Sequence, residues 1–479
     1  MSFISLSFVA FFVCVLLLYY AVNSKYQKSI LLLASCFFIG YYHISFLLTA
    51  LVISFMTFYF GKLIASTQQD KKIRWLYFSS VSLLIIVWLI LRHPEGMESV
   101  VNRVFPLIDL PWRVSQHSVL FPLGISFYTF QAISYLTEIY WGEEEPESNV
   151  FDFLLYMLFF MKFLSGPIER PSGLLHQLKE KKEFNYDMVT FGLKLMFIGL
   201  MKKVVLADNM APYLDGMYGS LHDASGMQLV MTCLLYPIQL YADFSGYTDI
   251  ALGGAAMFGF NLTPNFDRPF ISKTTAELWR RWHMSLSFWV RDYVYIPLTS
   301  ETRGWGRWGI SFSLLVTFIS LGIWHGAGWN YAMYGLIQGV IITYEMQTAN
   351  FHAKLADKLG KSLYNGLSIV RTYLLFALSL VFFRAESFHD AIYFLTHMSF
   401  SINHSWKELN IGMSDHNCVV AGITLVLMLV YEHYNSKQNI IELVSKKNTA
   451  VRWIIYYVLA FALFTMGGFN TDTFVYLQF

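Results

Sequence analysis

LWRRWHMSLSFWVRDYVYIPL, residues Leu278–Leu298, is followed past a basic Gly/Trp turn by GISFSLLVTFISLGIWHGAGWN, residues Gly309–Asn330. The two stretches carry His283, in a polar cluster, and His325, at the end of an apolar run. The run 309–323, about 15 residues, reaches only ~22 Å as a helix, against ~30 Å of bilayer hydrocarbon. His325 is therefore expected inside the membrane, with Gly322, Gly326 and Gly328 leaving room around its ring. An ionisable residue at membrane depth is read as functional by default. A neutral imidazole there could act as general base on a hydroxyl; the bland alternative is a histidine hydrogen-bonded to a neighbouring helix.

Composition supports a membrane setting. Of 479 residues, 56% are apolar, 18% aromatic and only 14% charged, where soluble proteins have about a quarter charged. The chain reads as an all-α polytopic membrane protein. No stretch between apolar runs could hold a soluble domain of ~100 residues, so residues 1–479 are expected to form one integral domain. A net charge of +2 gives no footing for nucleic acid. Cys14, Cys36, Cys233 and Cys418 have neither disulfide nor zinc spacing, and no metal site is expected. The run 3–20 has no basic leader and no small-residue cleavage site, so it is expected to be a retained first span.

Runs near the ~20-residue spanning length fall at 3–22, 44–60, 76–91, 119–140, 188–206, 227–243, 309–324, 329–346, 371–383, 417–433 and 453–468, with shorter ones at 30–42, 151–164 and 246–260. Roughly a dozen helices are expected. Basic loops stay cytoplasmic, which puts 61–75, 165–187, 261–308, 350–371 and 435–452 inside. Segments 207–227 and 469–479 have no Lys or Arg and 398–416 only Lys407, which puts them and the C-terminus outside. From the external loop 92–118, two full spans would leave the basic segment 165–187 outside. A re-entrant 151–164 removes the conflict, and KFLSGPIERPS, Lys162–Ser172, supplies the turn. Non-helical backbone at that depth must be buried or line a cavity.

Taken as one helix, 277–296 gathers Leu278, Trp282, Leu286, Trp289, Tyr293 and Ile296 in an arc about 80° wide. Arg280, His283, Ser287 and Arg291 fall opposite as a polar strip. That pattern suits an interfacial helix, either a plain surface anchor or a basic lip where Arg280, Arg281 and Arg291 attract an anionic cytosolic ligand such as coenzyme A. Asp243 and Asp249 lie within YADFSGYTDIALGGAAMFGF, where they are expected to neutralise cations. The tail TFVYLQF, 473–479, reads on its own as an aromatic interfacial anchor.

SGPIERP, LMKKVVLADNMA, ADFSGYTDIALGGAAMFGF, NFDRPF, ELWRRWHMSLSFWVRDYVYIPL, GIWHGAGWNYAMYG, VFFRAESF and FVYLQF, in that order, resemble the membrane-bound O-acyltransferase family, in its bacterial branch of alginate and peptidoglycan O-acetyltransferase membrane subunits. The resemblance covers about 120–479, with core motifs to about 346. It implies a ring of helices around a central funnel, with re-entrant and interfacial helices. It also implies His325 as the catalytic residue and His283 in the cytoplasmic funnel. The terminal pattern of Phe474, Tyr476 and Phe479 resembles one in which the tyrosine carries the acyl group, which would make 470–479 an acyl-carrier tail.

The resemblance further implies acetyl transfer from cytosolic acetyl-coenzyme A across a bacterial inner membrane. No cofactor is held permanently. The donor's phosphates would lie near Arg280, Arg281 and Arg291, and its thioester near His325. The acceptor would be a cell-envelope polysaccharide, alginate-like or peptidoglycan, reached through Tyr476 and a periplasmic SGNH-type esterase-like transferase. Alternatives are D-alanyl or other acyl transfer by the same fold, or a transporter of an anionic solute. Against the transporter, the sequence has no inverted repeat.

Overall fold

In a computed structural model, residues 1–92, 122–326, 328–400, 409 and 411–469 are described. Tyr476, Phe474 and Phe479, and most of the loop 92–118, lie outside them. Every regular element among the described residues is helical. Six helices, Ile44–Ser66, Asp70–Arg92, Arg307–His325, Lys361–Arg384, Asp415–Asn435 and Thr449–Met466, are long and apolar enough to cross a membrane. Their outward faces are apolar: on Thr449–Met466, Phe461 is 71% and Phe464 77% exposed. Such a surface is stable only against lipid or another apolar partner.

The chain divides into two compact units, Met1–Leu193 with Ala251–Thr263, and Lys194–Ile250 with Pro264–Phe479. In the first unit Ser5, Asn23 and Asn149 cap the helices Leu6–Ala21, Ser24–Tyr42 and Val150–Leu158, each side chain accepting a backbone N–H of the first turn. The run 30–42 thus extends to 19 residues. Val150–Leu158 has nine residues, ~13 Å, and cannot cross. The turn after it is buried: Lys162 Nζ donates to Gln131 Oε1 at 2.5 Å, and Glu169 accepts the Thr263 N–H at 2.6 Å.

Two boundary expectations are corrected. Runs 227–243 and 246–260 are not separate, because Gly226–Met257 is one 32-residue helix with Pro237 inside it. Its polar middle does not break it, because Asp243 is paired and Thr248 Oγ1 donates to Phe244 O at 2.9 Å within the helix. The helix at 309–323 likewise extends to Arg307–His325, 19 residues or ~28 Å, so it does not stop short at ~22 Å as expected.

In the second unit a π-helical stretch, Met201–Ala207, follows the helix Tyr186–Leu200 and leads into Asp208–Gly219. Asn209 Nδ2 donates to Met466 O at 2.7 Å and the Gly468 N–H to Val204 O at 2.9 Å. Segments 207–227 and 469 onward, which the charge pattern assigns to one side, therefore start next to each other.

Candidate active site

His325 is the last residue of Arg307–His325 and is 3% exposed. Two glycines fix where it sits. A Cβ on Gly322 would lie 2.2 Å from Tyr331 O, and one on Gly335 would lie 2.1 Å from Phe318 O. The helices Arg307–His325 and Trp329–Gln347 thus touch backbone to backbone, as small residues allow in membranes. The glycines do not leave room around the imidazole, as the sequence reading had it. The space beside Gly326 is filled by the Tyr331 ring and that beside Gly328 by Asn330 Oδ1. Aromatic rings lie against His325 among the described residues. Its ring lies 5.0 Å from Phe383 and 6.2 Å from Tyr334, both steeply inclined to it.

The expected continuous helix 277–296 is also corrected. Thr275–Arg281 and Met284–Val290 are separate seven-residue helices, and His283 between them has φ 43 and ψ 55, in the left-handed region. The break is set from outside the stretch. The Asp267 N–H donates to Arg281 O at 3.0 Å, the Met284 N–H to Asn265 O at 2.9 Å, and the Ser285 N–H to Asn265 Oδ1 at 3.2 Å. A non-glycine residue held at positive φ is uncommon, and histidine is among the few that tolerate it. Such strain persists only where surrounding structure enforces it.

His283 therefore leaves the polar strip and is 1% exposed, its ring perpendicular to Phe244 at 4.7 Å. Burial pushes its imidazole down to about 3, so it is neutral at working pH. Between pH 6.5 and about 3 the unfolded chain takes a proton that the folded chain refuses, and stability falls as pH falls. The wild type is expected to lose more thermal stability between about pH 7 and about pH 5 than His283→Asn, which tolerates the same backbone. Parallel pH profiles would contradict this.

The arginines are not a uniform lip. Arg281 is paired with Asp267 at 3.0 Å and Glu277 at 3.1 Å, and Arg291 with Asp292 at 2.6 Å. Arg280 is exposed and makes no ion pair among the described residues.

One helix, Lys361–Arg384, packs both on Trp282 and on His325. Trp282, next to His283, packs on Phe376 at 5.1 Å, and His325 packs on Phe383. Those two phenylalanines are two turns apart, ~10 Å along the axis. Trp282 and His325 are thus set at two levels of one rod.

Several polar residues at this core were missed in the sequence. Trp279 Nε1 donates to Gln338 Oε1 at 2.9 Å, Gln338 Nε2 to Ser379 Oγ at 2.6 Å, and Asn330 Nδ2 to Ala385 O at 2.9 Å. These bonds tie the His325 helix pair to Lys361–Arg384. The aspartates do neutralise cations, and the cations are lysines: Lys203 pairs with Asp208 at 2.7 Å and Asp243 at 2.6 Å, and Lys202 with Asp249 at 2.9 Å. Only the adjacent lysines and the aspartate of LMKKVVLAD signalled them. Among the described residues no His, Cys, Asp and Glu group is placed to hold a metal ion.

The sequence profile of the membrane-bound O-acyltransferase family matches residues 31–385. The chain belongs to that family. As a member of it, the chain is a multi-pass membrane enzyme that transfers acyl groups to oxygen. Among curated relatives, a Pseudomonas aeruginosa protein named probable alginate O-acetylase is 32% identical over 430 residues, covering 87% of this chain and 79% of its own. The peptidoglycan O-acetyltransferase of Helicobacter pylori is 30% identical over 478 residues, covering 90% of this chain and 86% of its own. A teichoic acid D-alanyltransferase of Bacillus subtilis is 30% identical over 250 residues, half of this chain and 63% of its own. In this O-acyltransferase His283 and His325 are both buried, the first against Phe244 and the second against Phe383.

Proposed function

We propose that this membrane-bound O-acyltransferase moves an acetyl group from cytosolic acetyl-coenzyme A across a bacterial inner membrane for O-acetylation of an envelope polysaccharide. The observation that carries the reading is His325, a buried imidazole at a helix end in an O-acyltransferase whose relatives include alginate and peptidoglycan O-acetyltransferases. His325 accepts the proton of an acceptor hydroxyl, whose oxygen attacks the thioester carbonyl. The carbon–sulfur bond breaks, and the coenzyme A thiolate takes the proton back from the imidazolium.

Tyr476 supplies that hydroxyl, and a periplasmic SGNH-type transferase then carries the acetyl to the polysaccharide. The shared origin of segments 207–227 and 469 onward supports one side for both, outside by their lack of Lys and Arg. His283, held neutral, assists positioning or proton transfer. Arg280 offers a free guanidinium to the donor's phosphates, while Arg281 and Arg291 would exchange a carboxylate partner for phosphate.

The test is acetyl-coenzyme A consumption by the purified protein in nanodiscs, with solute uptake into proteoliposomes as the transporter control. Tyr476→Phe is expected to abolish polysaccharide acetylation in cells while leaving folding and donor affinity unchanged. Normal acetylation in that variant would return the tail to an anchor.

A further inference from the structure

Lys361–Arg384 ends one residue past its contact with His325, and its last side chain meets a second set of polar groups. Arg384 follows Phe383, whose ring packs on His325, and precedes Ala385, whose carbonyl accepts Asn330 Nδ2. The Arg384 guanidinium lies over the buried Tyr218 ring, with 5.1 Å from Cζ to the centroid. Tyr218 is itself packed against Phe394, stacked at 5.4 Å, and Tyr236 at 5.8 Å. The helices Asp208–Gly219, Gly226–Met257 and Phe388–His397 thus build an aromatic platform for the cation.

Donors outnumber acceptors on this platform. Arg384 Nη2 donates to Asp215 Oδ1 at 2.6 Å, and among the described residues that is the one hydrogen bond its guanidinium makes. A guanidinium presents a planar fork of N–H donors that fits both oxygens of a carboxylate, so most of the fork is left unused. The Tyr218 hydroxyl is buried with no hydrogen-bond partner among the described residues, a condition that calls for a reason in a native structure. The acceptor that is present comes from an exposed side chain: Asp215 is 62% exposed, against 26% for Arg384. Such an exposed pair adds little to stability, so Asp215 can leave the guanidinium at small cost.

We propose that Arg384 and Tyr218 form a carboxylate-binding subsite, which Asp215 occupies in this structure and which an acidic sugar of the polysaccharide takes by displacing Asp215. The inference rests on the acceptor being a polysaccharide and narrows it to chains that bear uronate carboxylates. The incoming carboxylate can take two N–H donors of the fork where Asp215 takes one, and it offers the Tyr218 hydroxyl an acceptor. Arg384 touches none of the reacting atoms. It holds the polysaccharide beside the contact between Phe383 and His325.

The test measures binding of a hexuronate oligosaccharide to the purified protein in phosphatidylcholine nanodiscs, with a neutral glucan oligomer of equal length as control. Asp215→Asn removes the resident carboxylate and is expected to bind the hexuronate about tenfold more tightly than wild type, roughly the worth of one charge-assisted hydrogen bond. A gain of affinity is not a result that a damaged fold can give. Arg384→Lys keeps the charge without the fork and should bind about tenfold more weakly, and Tyr218→Phe, which keeps the ring under the guanidinium, should also bind more weakly. Asp215→Asn binding no more tightly than wild type overturns the subsite, as does equal binding of the neutral glucan or undiminished binding by Arg384→Lys. Coenzyme A release from acetyl-coenzyme A is read in parallel without the oligosaccharide. Release with no hexuronate binding removes the subsite and leaves the transferase, whereas hexuronate binding with no release removes the transferase reading and leaves the subsite.

Discussion

His325→Gln is expected to lower acetyl transfer by roughly 10²–10⁴-fold, the usual contribution of a positioned general base. Glutamine keeps a polar side chain of similar reach against Phe383 and Tyr334, so packing is largely preserved. What it cannot do is accept and return a proton. The loss should appear in the turnover rate and leave acetyl-coenzyme A affinity intact, the pattern of an interaction made only in the transition state. The readout is coenzyme A release by purified protein, with donor binding measured separately. Release at the wild-type rate would remove His325 from the chemistry. A loss confined to donor affinity would make it a binding residue.

The second large effect is on stability. Lys203 is 2% exposed at its side chain and the two aspartates that hold it are fully buried there. Lys203→Met fills similar volume but leaves two carboxylates without their cation. Breaking a buried pair from one side costs about 3–5 kcal/mol, a large fraction of the 5–15 kcal/mol that roughly holds a typical domain together. The variant is expected to accumulate poorly and to unfold at a much lower temperature in detergent. Adding Asp243→Asn should recover part of the loss, because one of the stranded charges is gone. An unchanged midpoint for Lys203→Met would mean that the cluster bears no weight in the fold.

Hydropathy was enough to locate most helices, because a run of apolar residues at spanning length has few other fates. The place of His325 at the end of such a run was legible for the same reason. Other features were illegible because their causes lie far away in sequence. Nothing within 277–296 announces a break at His283, which has neither Gly nor Pro beside it. The break is imposed by Asn265 and Asp267 through backbone hydrogen bonds. The interval around Asp243 looked like an interruption because it is polar, yet its charge is satisfied by Lys203 from another helix, so the backbone continues. Arg307 and Trp308 at one end, Trp324 and His325 at the other, lengthened a helix that the apolar core alone made too short. The pairing of Gln338 with Trp279 and Ser379 follows only from how the helices are packed.

Lys361–Arg384 acts as a common scale on which the Trp282 and His325 contacts are marked off. A rigid shift of this helix carries both marks together and preserves their separation. A single-residue deletion between Phe376 and Phe383 would not: it would rotate one mark about 100° relative to the other and draw them ~1.5 Å closer. The spacing of seven positions from Phe376 to Phe383 cannot change without putting the two contacts out of phase.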